Sequence, residues 1–282
     1  MKKDTSSVKK MLEIGRFLIP CRVYENKGPH IICINGVQQS MAMWHSFVLR
    51  FGRDYRIVLF DFPNQGKGRI ISGPKQVTFD EQVEILLAVM DKTNVSLDAT
   101  ICAASWGGVI AVALAAEYPN RIKRLILASL GTKPNKKMVE TIKKGSGIDI
   151  NDRDQMAQIL LKSFGDELPL RIKQKIISQF QSMKEEEVRS FYEHGLFIIS
   201  SKNLSDLVNL KNIKAKTLLL NGEKDTIIDL EDVKFLATQI PNCELKIIKG
   251  VGHFLHMERE EVLDIYEDIL SRIEQEALKT RR

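Results

Sequence analysis

Thr100-Ile101-Cys102-Ala103-Ala104-Ser105-Trp106-Gly107-Gly108 is the stretch on which the reading of this chain turns. A short apolar run with strand character ends at a serine, and a run of small and apolar residues with helical character follows over 109–117. A strand that passes directly into a helix through one serine needs small neighbours so that the turn can close. The same turn pushes the hydroxyl out of the sheet, as a nucleophile elbow requires. The usual pattern is G-x-S-x-G, and here Ala103 takes the place of the first glycine. One methyl fits there in many settings, so the departure weakens the match only slightly.

Working outward, short apolar segments at 31–34, 57–60, 124–127 and 217–220 repeat the character of 100–103 and read as buried strands, with 245–248 a further strand nearer an edge. Helical periodicity occupies 79–90, 109–117 and 231–239 between them. Alternation of this kind specifies an α/β fold, a mostly parallel sheet flanked by helices. The first thirty residues read as an antiparallel lead-in hairpin and 258–276 as a closing helix. Only helical patterns occur from 133 to about 203, between two strands of one sheet. That divides the chain into a core, 1–132 with 204–282, and an inserted helical cap, 133–203. The cap would sit over the carboxyl edge of the strands, where open α/β sheets bind ligands. Its apolar residues Met138, Met156, Leu160, Phe164, Phe180, Phe191, Tyr192 and Phe197 either glue its helices together or form an underside, with Met138, Phe164 and Phe191 the candidates for substrate contact.

A serine nucleophile needs a base, and the base an orienting carboxylate. Asp225 follows the 217–220 strand through Asn221-Gly222-Glu223-Lys224, and His253 follows the last strand through Lys249-Gly250-Val251-Gly252. Each alone is as easily a surface turn carboxylate or a loop histidine. In the chain order Ser105, Asp225, His253, all in loops at one rim of the sheet, they form a candidate catalytic triad. The oxyanion of such a site rests on two backbone N–H groups. Trp106, the residue after the serine, supplies one, and Val37 in Asn35-Gly36-Val37-Gln38 the other. Of the remaining histidines, His30 precedes a strand and His45 and His194 fall in helical patterns, while His256 is a mild rival to His253.

Bulk properties narrow the field without choosing within it. In 282 residues, 44% are hydrophobic and 28% charged, ordinary for a globular chain and contrary to disorder. No window approaches eighteen uninterrupted apolar residues, so a membrane span is not expected. The start, Met1-Lys2-Lys3-Asp4-Thr5-Ser6-Ser7, lacks the apolar core of a signal peptide. Cys21, Cys33, Cys102 and Cys243 form no C-x-x-C pair and no metal-like spacing with histidine, so reduced thiols, no metal site and a cytoplasmic setting are expected. No cofactor motif is present. A net charge of +6 suits an anionic substrate or partner as well as it suits a merely lysine-rich surface. The scattered lysines carry no aromatic-basic module for nucleic acid.

Several stretches resemble one family within the α/β-hydrolase fold, the 3-hydroxyacyl-ACP/CoA acyltransferases. That family includes the rhamnolipid-pathway synthase of 3-(3-hydroxyalkanoyloxy)alkanoic acids and the related 3-hydroxyacyl-ACP thioesterase/transacylase. The matching residues are Ile34-Asn35-Gly36, Val58-Leu59-Phe60-Asp61-Phe62-Pro63 with Gly66, Glu84-Ile85-Leu86-Leu87-Ala88, Ala104-Ser105-Trp106-Gly107-Gly108, Asn221-Gly222 with Asp225, and Gly252-His253-Phe254-Leu255. The similarity covers about 30–130 and 215–260, and the cap matches poorly. The resemblance implies a fatty 3-hydroxyacyl thioester on acyl carrier protein or coenzyme A, passed through an acyl-serine to water, a hydroxyacyl group or a thiol. Both carriers are anionic, and Lys133, Lys136, Lys137, Lys143 and Lys144 crowd the start of the cap as a docking patch. A carboxylesterase or lactonase with the same triad, and a non-catalytic ligand-binding scaffold, stay open as alternatives.

Overall fold

The computed structural model describes residues 6–201 and 203–280, with side chains to 272. The N-terminal residues 1–5, read above as no part of a signal peptide, lie outside the described residues. Strands β1 (Ser7–Ile14) and β2 (Phe17–Tyr24) form the lead-in hairpin, with Ile14 opposite Phe17 and Gly15 in the left-handed region at φ +55°. Only a residue without a Cβ takes that conformation at no cost, so a two-residue turn can join the strands. Then come β3 (His30–Ile34), α1 (His45–Phe51), β4 (Arg56–Phe60), the short β5 (Arg69–Ile70), α2 (Phe79–Lys92), β6 (Thr100–Ala104), α3 (Trp106–Glu117) and β7 (Arg124–Ala128). Four helices, α4 (Lys136–Ser146), α5 (Arg153–Phe164), α6 (Leu170–Ser182) and α7 (Glu185–Ser200), separate β7 from the rest of the sheet. The chain returns through α8 (Leu204–Leu207) to β8 (Lys216–Gly222), α9 (Leu230–Gln239), β9 (Cys243–Ile248) and α10 (Val262–Thr280).

The sheet order is β1-β2-β4-β3-β6-β7-β8-β9, with β5 pairing β2. From β4 to β9 every pairing is parallel. This is the mostly parallel α/β architecture expected from the alternation of strands and helices. β4 and β6 are buried at all five positions, which is why they read as unbroken apolar runs. α3 is nearly as enclosed. Its small side chains, Ala111, Ala113, Ala115 and Ala116, let it lie close against the sheet.

Four elements differ from the sequence expectation. β5 and α1 carried no recognisable signal, one being two residues long and the other seven. β9 starts at Cys243, two residues early, because its half-exposed side chains give it no continuous apolar run. The closing helix begins at Val262 and not at 258, because Glu258 ends a 3₁₀ turn (Leu255–Met257) and folds its carboxylate back onto the preceding loop.

Candidate active site

Strand order fixes where a site can form. The chain leaves β3 towards β4 on one side and later resumes at β6 on the other, so the crevice outside the carboxyl ends of β3 and β6 is a topological switch point. The loop after β3 is Asn35-Gly36-Val37-Gln38, and the residue after β6 is Ser105.

Ser105 has φ +50° and ψ −124°, a conformation costing of order 1–3 kcal/mol that persists only when its surroundings enforce it. Here the Ser105 N–H donates to Ala128 O at 2.8 Å, and its carbonyl accepts from Gly108 N at 2.8 Å. Gly107 makes the turn possible, since a Cβ there would stand 2.5 Å from Asn35 O. The strand-to-helix turn read from Ala-Ala-Ser-Trp-Gly-Gly is therefore present, with the serine half-buried at its apex.

Asp225 and His253 come from the loops after β8 and β9. Asp225 Oδ2 accepts from His253 Nδ1 at 2.8 Å, and Oδ1 accepts from the N–H groups of Ile227 and Ile228 at 2.9 and 3.1 Å. Burial alone would push this carboxyl up, but His253 and the two backbone donors outweigh it and hold it below its usual value. The aspartate is thus an anion that accepts a hydrogen bond from the Nδ1–H of His253, which leaves Nε2 without the proton. From behind, Ser129 Oγ donates to His253 O at 2.6 Å. His253 and Ser105 line the same cavity. Among the described residues no hydrogen bond joins them, a looseness common in sites without substrate.

Among the described residues, neither the Val37 nor the Trp106 N–H has an acceptor within the protein. Gly36 brings the loop close, since a Cβ on it would lie 3.2 Å from Ser105 Cβ. Asn35 braces the turn by donating from Nδ2 to Gln39 O at 3.0 Å and Gln65 Oε1 at 3.2 Å. The Asp61-Phe62-Pro63 and Gly66 match has a structural use as well. The Asp61 carboxylate accepts from Met41 N at 2.6 Å and Lys67 N at 3.2 Å, pinning the adjoining loops.

The cavity beside Ser105 has a volume of about 330 Å³ and is mainly apolar. Met138, Phe164 and Phe191 line it, with Met156, Leu160, Phe180 and Tyr192. Phe197 does not. It stacks edge-on against the Trp106 indole at 5.8 Å and helps fix α7 to the core. A larger, polar groove of about 880 Å³ lies at the opposite end of the strands around Lys27, Arg53 and Arg124, and touches none of these residues. Convergence of chemistry, not size, marks the site.

The rival histidines are accounted for. His256 is buried, stacks on Trp44 at 5.3 Å and donates from Nε2 to Met43 O at 3.2 Å, and burial pushes it down to about 4. His30 Nδ1 accepts from Ser96 N at 2.9 Å beside the polar groove, and His45 is exposed. His194 has a use that sequence reasoning missed. From α7 its Nδ1 meets Gln38 Nε2 at 3.2 Å, Gln38 also donates to Ser190 O at 3.4 Å, and its ring packs against Trp106 at 6.4 Å. Helix α7 thereby touches Gln38, the neighbour of one candidate oxyanion donor, and Trp106, which is the other. No local signal in the sequence announces a contact between residues so far apart.

Comparison with known proteins agrees with this fold. The family model described as alpha/beta hydrolase fold matches residues 29–260. The (R)-3-hydroxydecanoyl-ACP:CoA transacylase of Pseudomonas putida is 24% identical over 232 residues, spanning 82% of this chain and 78% of that protein. The pimeloyl-[acyl-carrier protein] methyl ester esterase of Nitrosospira multiformis is 25% identical over 251 residues, spanning 80% and 88%. Among solved structures, the enol-lactonase of Burkholderia xenovorans superposes with a TM-score of 0.77 at 20% identity, over 94% of this chain and 100% of that one. Among the described residues no helix is long and apolar enough to cross a membrane.

Proposed function

The chain belongs to the α/β-hydrolase fold family, and from that premise we propose that it is a serine enzyme acting on acyl thioesters, with 3-hydroxyacyl groups as the preferred cargo. The observation that carries the reading is the strained Ser105 at the mouth of an apolar cavity that the anion-held His253 shares. Ser105 Oγ attacks the thioester carbonyl while His253 Nε2 takes its proton, and Asp225 stabilises the imidazolium. The carbonyl oxygen, as it gains charge, accepts hydrogen bonds from the N–H groups of Val37 and Trp106. Collapse expels the thiolate, protonated by His253, and leaves an acyl-serine. Water or a second nucleophile then reverses these steps, so the same machinery serves hydrolysis and transfer.

The cargo is argued from the cavity. At about 30 Å³ for a water-sized group, close to the size of a methylene, it holds on the order of ten such groups, a medium-length chain. Similarity to a transacylase of 3-hydroxydecanoyl-ACP supports the same class. Carrier protein or coenzyme A is the partner this reading implies, met by the lysines at the start of α4. No cofactor or metal takes part in it, and the cytoplasm, where both carriers occur, is the setting it proposes. Likeness to a methyl ester esterase favours simple ester hydrolysis as the second reading.

Intact-mass measurement after incubation with 3-hydroxyacyl thioesters of several lengths tests the assignment. The expected result is a mass gain of one acyl group, largest for medium chains and absent in Ser105→Ala. Equal turnover of simple methyl esters and thioesters of one chain length would favour the esterase, and no covalent adduct with any acyl donor would reject the nucleophile.

A further inference from the structure

Two buried carboxylates serve the His253 loop. Asp225 is the one the triad pattern supplies. The other is Glu258, which is 7% exposed and sits five residues beyond the histidine in the 3₁₀ turn. Its Oε2 accepts from Gly252 N at 2.5 Å and its Oε1 from Phe254 N at 2.8 Å, the amides on either side of His253. Ser129 Oγ holds the carbonyl between them at 2.6 Å. The backbone around His253 is therefore gripped at three consecutive points, two by one carboxylate.

Burying a carboxylate is expensive, and among the described residues this one has no ion pair to offset the cost. Burial pushes its carboxyl up and the like-charged Glu167 adds to this, while the two amides and His253 pull it down without cancelling the rise. Glu167 itself is engaged with Lys224 at 3.0 Å. A single loop amide could be held by a neutral side chain or a water, whereas here two amides are met by the two oxygens of one carboxylate. An anion beside a histidine that gains charge during each chemical step has a further use, because it favours the imidazolium.

We propose that Glu258 is a positioning residue for the reaction, fixing the His253 ring through its flanking amides and supplying a second negative charge to the imidazolium. The inference rests on His253 being the base, as argued above. It assigns Glu258 no contact with substrate. Ionised, Glu258 accepts at both oxygens. Protonated, it presents an O–H to one of two N–H donors and loses half its grip. Because burial holds its carboxyl above the ordinary glutamate value, this loss begins at a higher pH than an exposed glutamate would show.

The test is the pH–rate profile of Glu258→Gln against wild type, with Glu258→Asp and His253→Ala in parallel. Glutamine keeps the size of the side chain but removes the charge and one acceptor, and an amide left without its acceptor in a buried site lowers kcat about 10- to 100-fold, with KM little changed. The acid limb of kcat/KM is steeper in wild type than in Glu258→Gln, which has no carboxyl at this position to protonate. Aspartate restores the charge without the reach, and recovers part of kcat. Circular dichroism and the melting temperature establish that the variants are folded. Should Glu258→Gln not fold, Ser129→Ala reads the third grip point and should lower kcat in the same sense. Full kcat in Glu258→Gln, with His253→Ala inactive, overturns this inference and leaves the proposed mechanism standing. Activity in His253→Ala would instead reject the mechanism beneath it.

Discussion

The sheet and the helices α4–α7 inserted between β7 and β8, called the cap below, are built to different standards. In β4 and β6 every residue is buried, and two apolar clusters fill the two faces of the sheet. In α6, thirteen residues long, only Phe180 is buried, and the cap's own cluster centres on Met156, Ala157, Phe180 and Val188. The difference has a physical reason. The sheet must hold Ser105 in a strained turn and carry the His253 and Asp225 loops at fixed spacing, which a packed interior enforces. The cap encloses a cavity, and the side chains facing it forgo partners on that side. A thin layer with little buried contact is also the region that opens at the lowest cost.

The comparison breaks most decisively at the triad. Ser105→Ala and His253→Ala are expected to lower turnover roughly 10⁴-fold or more while the protein stays folded, and Asp225→Asn to act in the same direction by spoiling the tautomer. Steady-state kinetics with the best thioester, beside a thermal melt, reads both halves. Ser105→Ala with near-normal turnover would mean that the strained turn serves another purpose. Asp225 also carries a stability signature. Its folded value lies below the ordinary carboxyl, so its contribution is present above the unfolded value and lost as pH falls through the folded one. Asp225→Asn should flatten the acid side of the stability curve.

Packing supplies the next contrast. Leu127, fully buried on β7, should cost about 2–5 kcal/mol on truncation to alanine, whereas Ile176 of α6, half-buried at the cavity, should cost about 1 kcal/mol or less, because truncation there enlarges an existing space. Chemical denaturation of the two variants measures this directly. Equal costs would show the cap to be as tightly packed as the sheet.

These contrasts explain what could be read in advance. The strands at 31–34, 57–60, 100–103, 124–127 and 217–220 were legible because burial on both faces writes a continuous apolar run. Ser105 was legible because a strained turn demands small residues at fixed spacing, and Asp225 and His253 because chain order and strand ends constrain them. Glu258 was hidden in a helical pattern, since glutamate near a helix start needs no special reason. His194 and Phe197 were hidden too. Their partners, Gln38 and Trp106, lie far away in sequence, and periodicity carries no information about which cap face meets which loop.

Gln38 joins the two regions, and its removal sharpens the comparison further. Its amide ties the loop that bears the Val37 N–H to Ser190 and His194 of α7. If the hole is shaped by the cap, Gln38→Leu should lower kcat about 10-fold, the worth of a hydrogen bond or two, with the melting temperature nearly unmoved. The matching change on the other side, His194→Phe, should produce a similar loss, and the double variant should lose little more, since both remove one contact. Additive losses would show that Gln38 and His194 act separately and that the hole does not depend on the cap.

The smallest effect is expected on the cap's outer surface, and it discriminates the substrate. Lys133, Lys136 and Lys137 are exposed where β7 leads into α4, and Lys136 stands 3.8 Å from Glu140 with 90% of its side chain exposed. Such a surface pair contributes little to stability, so reversal of both Lys136 and Lys137 to glutamate should leave the fold and the catalytic turn untouched. An anionic carrier approaching this face feels the change through solvent. The interaction fades beyond about 8 Å at physiological ionic strength, so the penalty should be a few-fold in kcat/KM there and grow as salt is lowered. A short, uncharged ester of the same acid meets no such field and should be indifferent at every salt concentration. Measuring both substrates across a salt series therefore separates a docking surface from a merely solvated one. Loss for the carrier-bound substrate alone, steepening at low salt, supports a carrier partner. Equal behaviour of the two substrates would remove the cap lysines from the proposal and leave the choice between thioester and ester to the cavity alone.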